Sequence, residues 1–239
     1  SYVSTARELK NALETGGSSS TRKVIFLRNG KYDLGTLYGP EVKDYTTLVG
    51  QSRDGVIIMN APETEGLLTS STLKTGSNVI LQNLTLKCTV KKVDGNERGT
   101  ALYDNGSNNV YKDIRLLGRQ DTYYSSDATN SYFEECEIHG TVDFICGSGN
   151  AWFEKCKLLL EHRDYYHDVI AAPATKSGQD GYTFNNFIID NADANHSMAN
   201  NYYLARAWAN SPKIAFYHTD YRIAKKGDTD TPITTGLDC

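Results

Sequence analysis

The chain contains no apolar run long enough to cross a bilayer, and no stretch of it reads as a signal peptide. It also lacks an excess of positive charge. The 25 Lys and Arg against 29 Asp and Glu give a net charge of −4 over 239 residues. That balance removes the global electrostatic footprint expected for nucleic acid or another polyanion, so an anionic partner would have to be met by local cations or through uncharged units. Cysteine is scarce and odd in number. With five Cys, at least one is free or pairs outside the chain. No change of composition marks a linker, and one domain is expected over 1–239. Its parts are an N-terminal cap and turn (1–22), a coiled core (23–222) and a tail (223–239).

What is present is a repeat. Six segments align: Ser77–Cys88, Ser107–Gly118, Thr129–Gly140, Gly149–Leu160, Asp180–Asn191 and Ser211–Arg222. With the first residue counted as zero, offset four holds Leu81, Tyr111, Phe133, Phe153, Phe184 and Ala215. Offset seven holds Leu84, Ile114, Cys136, Cys156, Phe187 and His218, and offset nine holds Leu86, Leu116, Ile138, Leu158, Ile189 and Asp220. The last two offsets are apolar in five copies and flanked by polar residues, the period-2 signature of a strand with one buried face. The sixth copy fits worst. Starts are separated by 30, 22, 20, 31 and 31 residues, so a constant core carries variable inserts. Short strands repeating without intervening helices predict an all-β parallel β-helix, a solenoid of stacked coils. A β-sandwich also alternates, but it does not explain why the same offsets recur. Ahead of the coils, residues 4–13 have a helical pattern, with Ser4 or Thr5 as cap and Ala6, Leu9 and Leu13 on one face. A helix there would cover the open edge of the first coil. Residues 15–22 read as a flexible turn.

The register places two carboxylates together. Asp121 and Asp143 both stand at offset fourteen of successive copies. Stacked in register, their backbones would lie ~4.8 Å apart. Two carboxylates that close resist ionising together, which separates them into a protonated acid and an anionic nucleophile or base. A ladder of turn aspartates or a calcium site gives the same spacing. Cys136 and Cys156 share offset seven and are expected as stacked, reduced core thiols, since ~4.8 Å exceeds the usual disulfide Cβ separation of about 3.8 Å. Cys146 follows Asp143 by three residues, but no histidine stands at an obvious partnering position. His162, Asp164, His167 and Asp168 form a charged loop that reads as solvated rather than metal-binding.

The residues around the pair are specific. They read Gly118-Arg119-Gln120-Asp121-Thr122-Tyr123-Tyr124, then Gly140-Thr141-Val142-Asp143-Phe144-Ile145-Cys146-Gly147, and later Tyr203-Leu204-Ala205-Arg206-Ala207-Trp208. In order and separation these blocks resemble those of the pectin methylesterases, whose patterns read roughly Q-D-T-L-Y, G-T-V-D-F-I-F-G and L-G-R-P-W. The resemblance covers about residues 5–220, including Lys23-Val24-Ile25-Phe26-Leu27 and Thr47-Leu48-Val49-Gly50.

The resemblance implies a right-handed parallel β-helix that hydrolyses methyl esters of galacturonate in pectin. It implies Asp143 as nucleophile, Asp121 as general acid and then base, Gln120 as oxyanion donor and Arg206 as the cation holding the nucleophile. It implies Arg98, Thr100, Tyr124, Phe144 and Trp208 as substrate-binding residues. It calls for no cofactor and no metal, a pectin (homogalacturonan) partner, neither nucleic acid nor membrane, a monomer, and a secreted or periplasmic location suited to a polymeric substrate. The chemistry of an ester agrees, since it needs a nucleophile, a proton donor for the leaving alkoxide and donors facing the oxyanion. A planar Arg fork on one aspartate would break the symmetry of the pair and keep that member ionised.

The sequence also departs from the pattern. Arg98-Gly99-Thr100-Ala101-Leu102 stands where the family has Q-A-V-A-L, so Arg98 occupies the position of an oxyanion-binding glutamine. The arginine block lacks its glycine and proline, and the chain stops soon after the sixth copy. Two other classes therefore stay open on sequence: a calcium-dependent pectate lyase, and an inactive polysaccharide-binding relative.

Overall fold

The computed structural model describes every residue except 65, 91–97, 164–167, 194–201, 224–236 and 239. Most of the tail, together with Asp164 and His167, lies outside the described residues. The architecture is a parallel β-helix. Among the described residues one sheet has thirteen strands and the other eight, and neighbouring strands run parallel through both. The smaller sheet stacks Glu41–Val42, Ser71–Thr75, Thr100–Asp104, Tyr123–Ser125, Val142–Gly147, Asp168–Pro173, Tyr202–Arg206 and Leu237–Asp238.

The larger sheet is folded lengthwise. Strand Ser107–Leu117 pairs with Asn130–Glu134 along its first half and with Glu137–Gly140 along its second. Its corner is a column of left-handed residues: Asn83, Asp113, Glu135, Lys155, Asn186 and His218, with φ between 48° and 56°. Asn and Asp visit this region at little cost, whereas Glu and Lys are held there by the stacking around them.

The expected register holds through five copies. Tyr111 pairs with Phe133, Phe133 with Phe153 and Phe153 with Phe184. The sixth copy is corrected by one residue. Phe184 pairs with Phe216, not Ala215, and Ile189 with Tyr221, not Asp220. The shift restores an aromatic to offset four, puts Tyr221 at offset nine and His218 in the corner, and leaves Thr219 as the one polar residue among the three offsets. Cys136 and Cys156 are buried and free, as their spacing required.

At the N-terminus, helix Ala6–Ala12 starts at Thr5, whose side chain accepts from the Glu8 N–H while Glu8 accepts from the Thr5 N–H. Leu9 and Leu13 bury their side chains in the first coil. Lys23 Nζ donates to the Ala12 carbonyl at 2.6 Å and so satisfies the C-terminal end. A two-residue strand, Tyr2–Val3, adds to Lys23–Leu27, a pairing too short to leave a periodic signal.

Candidate active site

Two tight turns lead into neighbouring strands of the smaller sheet, and each ends on an aspartate. Tyr123, Tyr124 and Ser125 pair with Ile145, Cys146 and Gly147, a register that sets Asp121 beside Asp143. The Asp121 N–H donates to the Val142 carbonyl at 3.3 Å, and the Thr141 N–H to the Arg119 carbonyl at 3.1 Å. Both aspartates take left-handed backbone angles, φ 58° and 51°. Aspartate takes this conformation at little cost, and here it turns the chain sharply between the two sheets. Gly140 is required for the approach, because a Cβ there would come within 2.1 Å of Phe144 Cβ.

The two carboxylates are nearly buried, with 4 % and 9 % exposure, and each is held by a guanidinium. Arg206 grips Asp143 at two points: Nε donates to Oδ1 at 2.8 Å and Nη2 donates to Oδ2. Arg98 Nε donates to Asp121 Oδ2 at 2.5 Å. On the other oxygen, the Cys146 thiol donates to Asp121 Oδ1 at 3.6 Å. Burial, reinforced by the Asp143 charge, raises the Asp121 pKa to about 6 against the opposing pull of Arg98. Burial and the same two carboxylates push the Cys146 thiol well above its ordinary range, which makes it a neutral donor and not a nucleophile.

Arg98, Gln120, Asp121, Asp143, Arg206 and Trp208 line a single cavity of about 320 Å³. Tyr124 stands beside it, its ring centroid 6.5 Å from that of Trp208 and 5.2 Å from a stacked Tyr103. Two expected binding residues do not belong there. Phe144 has no exposed surface and packs in the core, because the left-handed turn at Asp143 swings the next side chain inward over side-chain-free Gly140. Thr100 is 1 % exposed within its strand, where alternation gives it the inner position.

Sequence reasoning missed Cys146, Leu68, Ala207 and Tyr103 as parts of the site. Cys146 was findable, since it shares offset seventeen with Tyr124 in the neighbouring copy. Tyr103 follows a variable insert that breaks the count.

The stacked solenoid thus sets a carboxylate pair and two arginines in one cleft. The chain belongs to the pectinesterase family, whose model matches residues 3–227. It is 26% identical to pectinesterase A of Emericella nidulans over 85% of this chain and 63% of that protein, and 27% identical to pectinesterase 1 of Olea europaea over 90% and 58%. The chain thus spans about six-tenths of the length of these curated relatives. Among solved structures it resembles the pectin methylesterase from Yersinia enterocolitica (TM-score 0.77, 27% identity, 89% of this chain and 78% of that one). It also resembles a pectin methylesterase in complex with a hexasaccharide (TM-score 0.74, 27% identity, 87% and 72%).

Proposed function

We propose that the protein is a pectin methylesterase, releasing methanol from methyl galacturonate units of pectin. The observation that carries this reading is the in-register Asp121–Asp143 pair, one member gripped at two points by Arg206 and the other carrying a pKa of about 6.

In this reading an Asp143 carboxylate oxygen attacks the ester carbonyl carbon. The Gln120 amide and the Arg98 guanidinium donate to the oxyanion that forms. As the tetrahedral intermediate collapses, the methoxy oxygen takes the Asp121 proton and leaves as methanol, which leaves an acyl–Asp143 anhydride. Asp121, now ionised, takes a proton from water, and the resulting hydroxide attacks the anhydride. Breakdown restores Asp143 and frees the galacturonate. Tyr124 and Trp208 supply aromatic surface beside the cleft for the sugar. All the residues invoked come from one chain, which suits a monomer, and a polymeric substrate suits action outside the cytoplasm.

The test is to incubate the protein with methyl-esterified pectin while following methanol and unsaturated-product absorbance together. Methanol without unsaturation is expected. Asp143→Asn should remove methanol release with the circular dichroism spectrum unchanged. Calcium-dependent unsaturation, or near-normal turnover by that variant, would overturn the reading.

A further inference from the structure

A second feature lies on another face of the solenoid, on the outer side of the larger sheet. There the in-register outward positions are Ile80, Val110, Tyr132, Trp152, Thr183 and Ala215. Tyr132 and Trp152 are paired neighbours in adjacent coils, 38% and 43% exposed, so their backbones lie one strand spacing apart and both rings reach solvent. With Val110, Asn108 and Asn130 they line a groove of about 500 Å³. Two large exposed rings lining one groove mark a contact surface more than a packing accident.

The groove is also ordered in advance. Trp152 Nε1 donates to Glu154 Oε2 at 3.1 Å, and Glu154 accepts in turn from Asn185 at 3.0 Å and Asn186 at 2.8 Å. An exposed indole tied down in this way loses little freedom when something packs on it. Its charge narrows the choice of occupant. Glu134 and Glu154 flank the rings, and the nearby Lys112 is already paired with Glu134 at 3.0 Å. Glu135 also acts on Lys112 and Lys155 on Glu154, so three carboxylates stand against two ammonium groups, a balance that disfavours a polyanion. The chemistry offered is an apolar, π-bearing floor with amide and carboxylate groups at its rim. That suits a pyranose ring, which presents a face of C–H groups and an edge of hydroxyls.

We propose that this groove binds an uncharged hexopyranosyl chain. The site is separate from the ester-hydrolysing cleft and would hold the protein on a neutral polysaccharide while the cleft works. The binding itself does not depend on the esterase reading; its role as an anchor for the cleft rests on it.

Electrophoresis through native gels containing hydroxyethyl cellulose, polygalacturonate or no polymer tests it. Hydroxyethyl cellulose should retard the protein and polygalacturonate should not. The double variant Tyr132→Ala, Trp152→Ala should bind hydroxyethyl cellulose about tenfold more weakly or worse. Its circular dichroism spectrum should match the parent's, which shows that it folds, and its methanol release from soluble pectin should stay within twofold of the parent. Trp152→Phe, which keeps a ring, should retain most of the retardation. No retardation by the neutral polymer would overturn the proposal. So would retardation untouched by the double variant, or stronger retardation by polygalacturonate. Sedimentation showing a dimer that the double variant abolishes would assign the groove to a second copy of the chain and overturn it as well.

Discussion

Asp121 is where three forces meet. Burial and the neighbouring Asp143 favour its protonated form, while Arg98 favours the anion, and the balance stands at about 6. A general acid must carry its proton, so turnover should fall as pH rises through about 6. Replacing Arg98 by Gln removes the opposing cation. Since an adjacent opposite charge moves a carboxylate by about 1–3 pH units, the alkaline limb of the kcat profile should move upward by about one unit or more. Methanol release measured against pH in both proteins checks this; an unmoved limb would mean Arg98 does not govern the proton. A stability effect follows from the same group. A carboxyl raised in the folded state stabilises the fold below its unfolded pKa and loses that contribution as pH rises through the folded value. Asp121→Asn should therefore raise Tm relative to the parent at pH 7 and not at pH 3.5, an inversion of what loss of an ordinary salt-bridged aspartate would do. At this scale the sequence made the pair legible by counting alone. It could not show Phe144 turning inward, because that depends on the sign of one backbone angle at Asp143.

The elements that carry the pair are braced from the neighbouring face of the larger sheet. Thr122, next to Asp121, donates through Oγ1 to the His139 carbonyl at 2.7 Å. The His139 ring sits between two carboxylates, Nε2 to Glu137 at 2.6 Å and Nδ1 to Glu161 at 2.9 Å. Arg115 also bonds Glu137, at 2.9 Å, and Glu137 is held down to about 2, mainly by its bond to His139. Burial works against a charged imidazole here, but hydrogen bonds and charge from Glu137 and Glu161 outweigh it and raise the His139 pKa. The sign follows from linkage. A raised histidine stabilises fully below its unfolded pKa of about 6.5 and ceases to do so as pH climbs through the folded value. The parent should thus lose Tm on the alkaline side of neutrality, while His139→Gln should start lower and lose less. With about 1.5 kcal/mol for hydrogen bonds to a charged group, the gap at pH 6 should be about 3–6 °C by calorimetry, closing at high pH. A gap constant with pH would show that the ring acts through packing. None of this was visible as a motif, since Glu137 and His139 look like outward residues of an ordinary strand and Glu161 comes from the next coil.

Over the whole molecule, register is enforced by one aromatic column. Tyr111, Phe133, Phe153, Phe184 and Phe216 stack through the core with successive centroid distances of 4.6, 4.5, 4.5 and 5.3 Å. The solenoid was legible because this column repeats at one offset. The sixth coil was misread because its insert is one residue longer and its neighbours are weakly apolar. In a stack where each coil touches only the coils above and below, a side chain matters according to how many interfaces it closes. Phe153 lies in mid-column, fully buried between Phe133 and Phe184, whereas Phe216 stands at its far end and is only half-buried. Phe153→Ala opens a cavity between two coils and should cost about 3–5 kcal/mol, a Tm loss of roughly 10 °C or more for a chain of this size. Phe216→Ala should cost less than half of that, because its ring is only half-buried and its removal leaves less of a closed cavity. The site offers a second readout. The Asp121–Asp143 turns sit on the coils of Tyr111 and Phe133, and Phe153 packs on Phe133 from the next coil. Phe153→Ala should therefore lower kcat below its own Tm, and Phe216→Ala should leave it unchanged. Equal losses from the two variants would mean that the column fills volume and does not set the register on which the carboxylate pair depends.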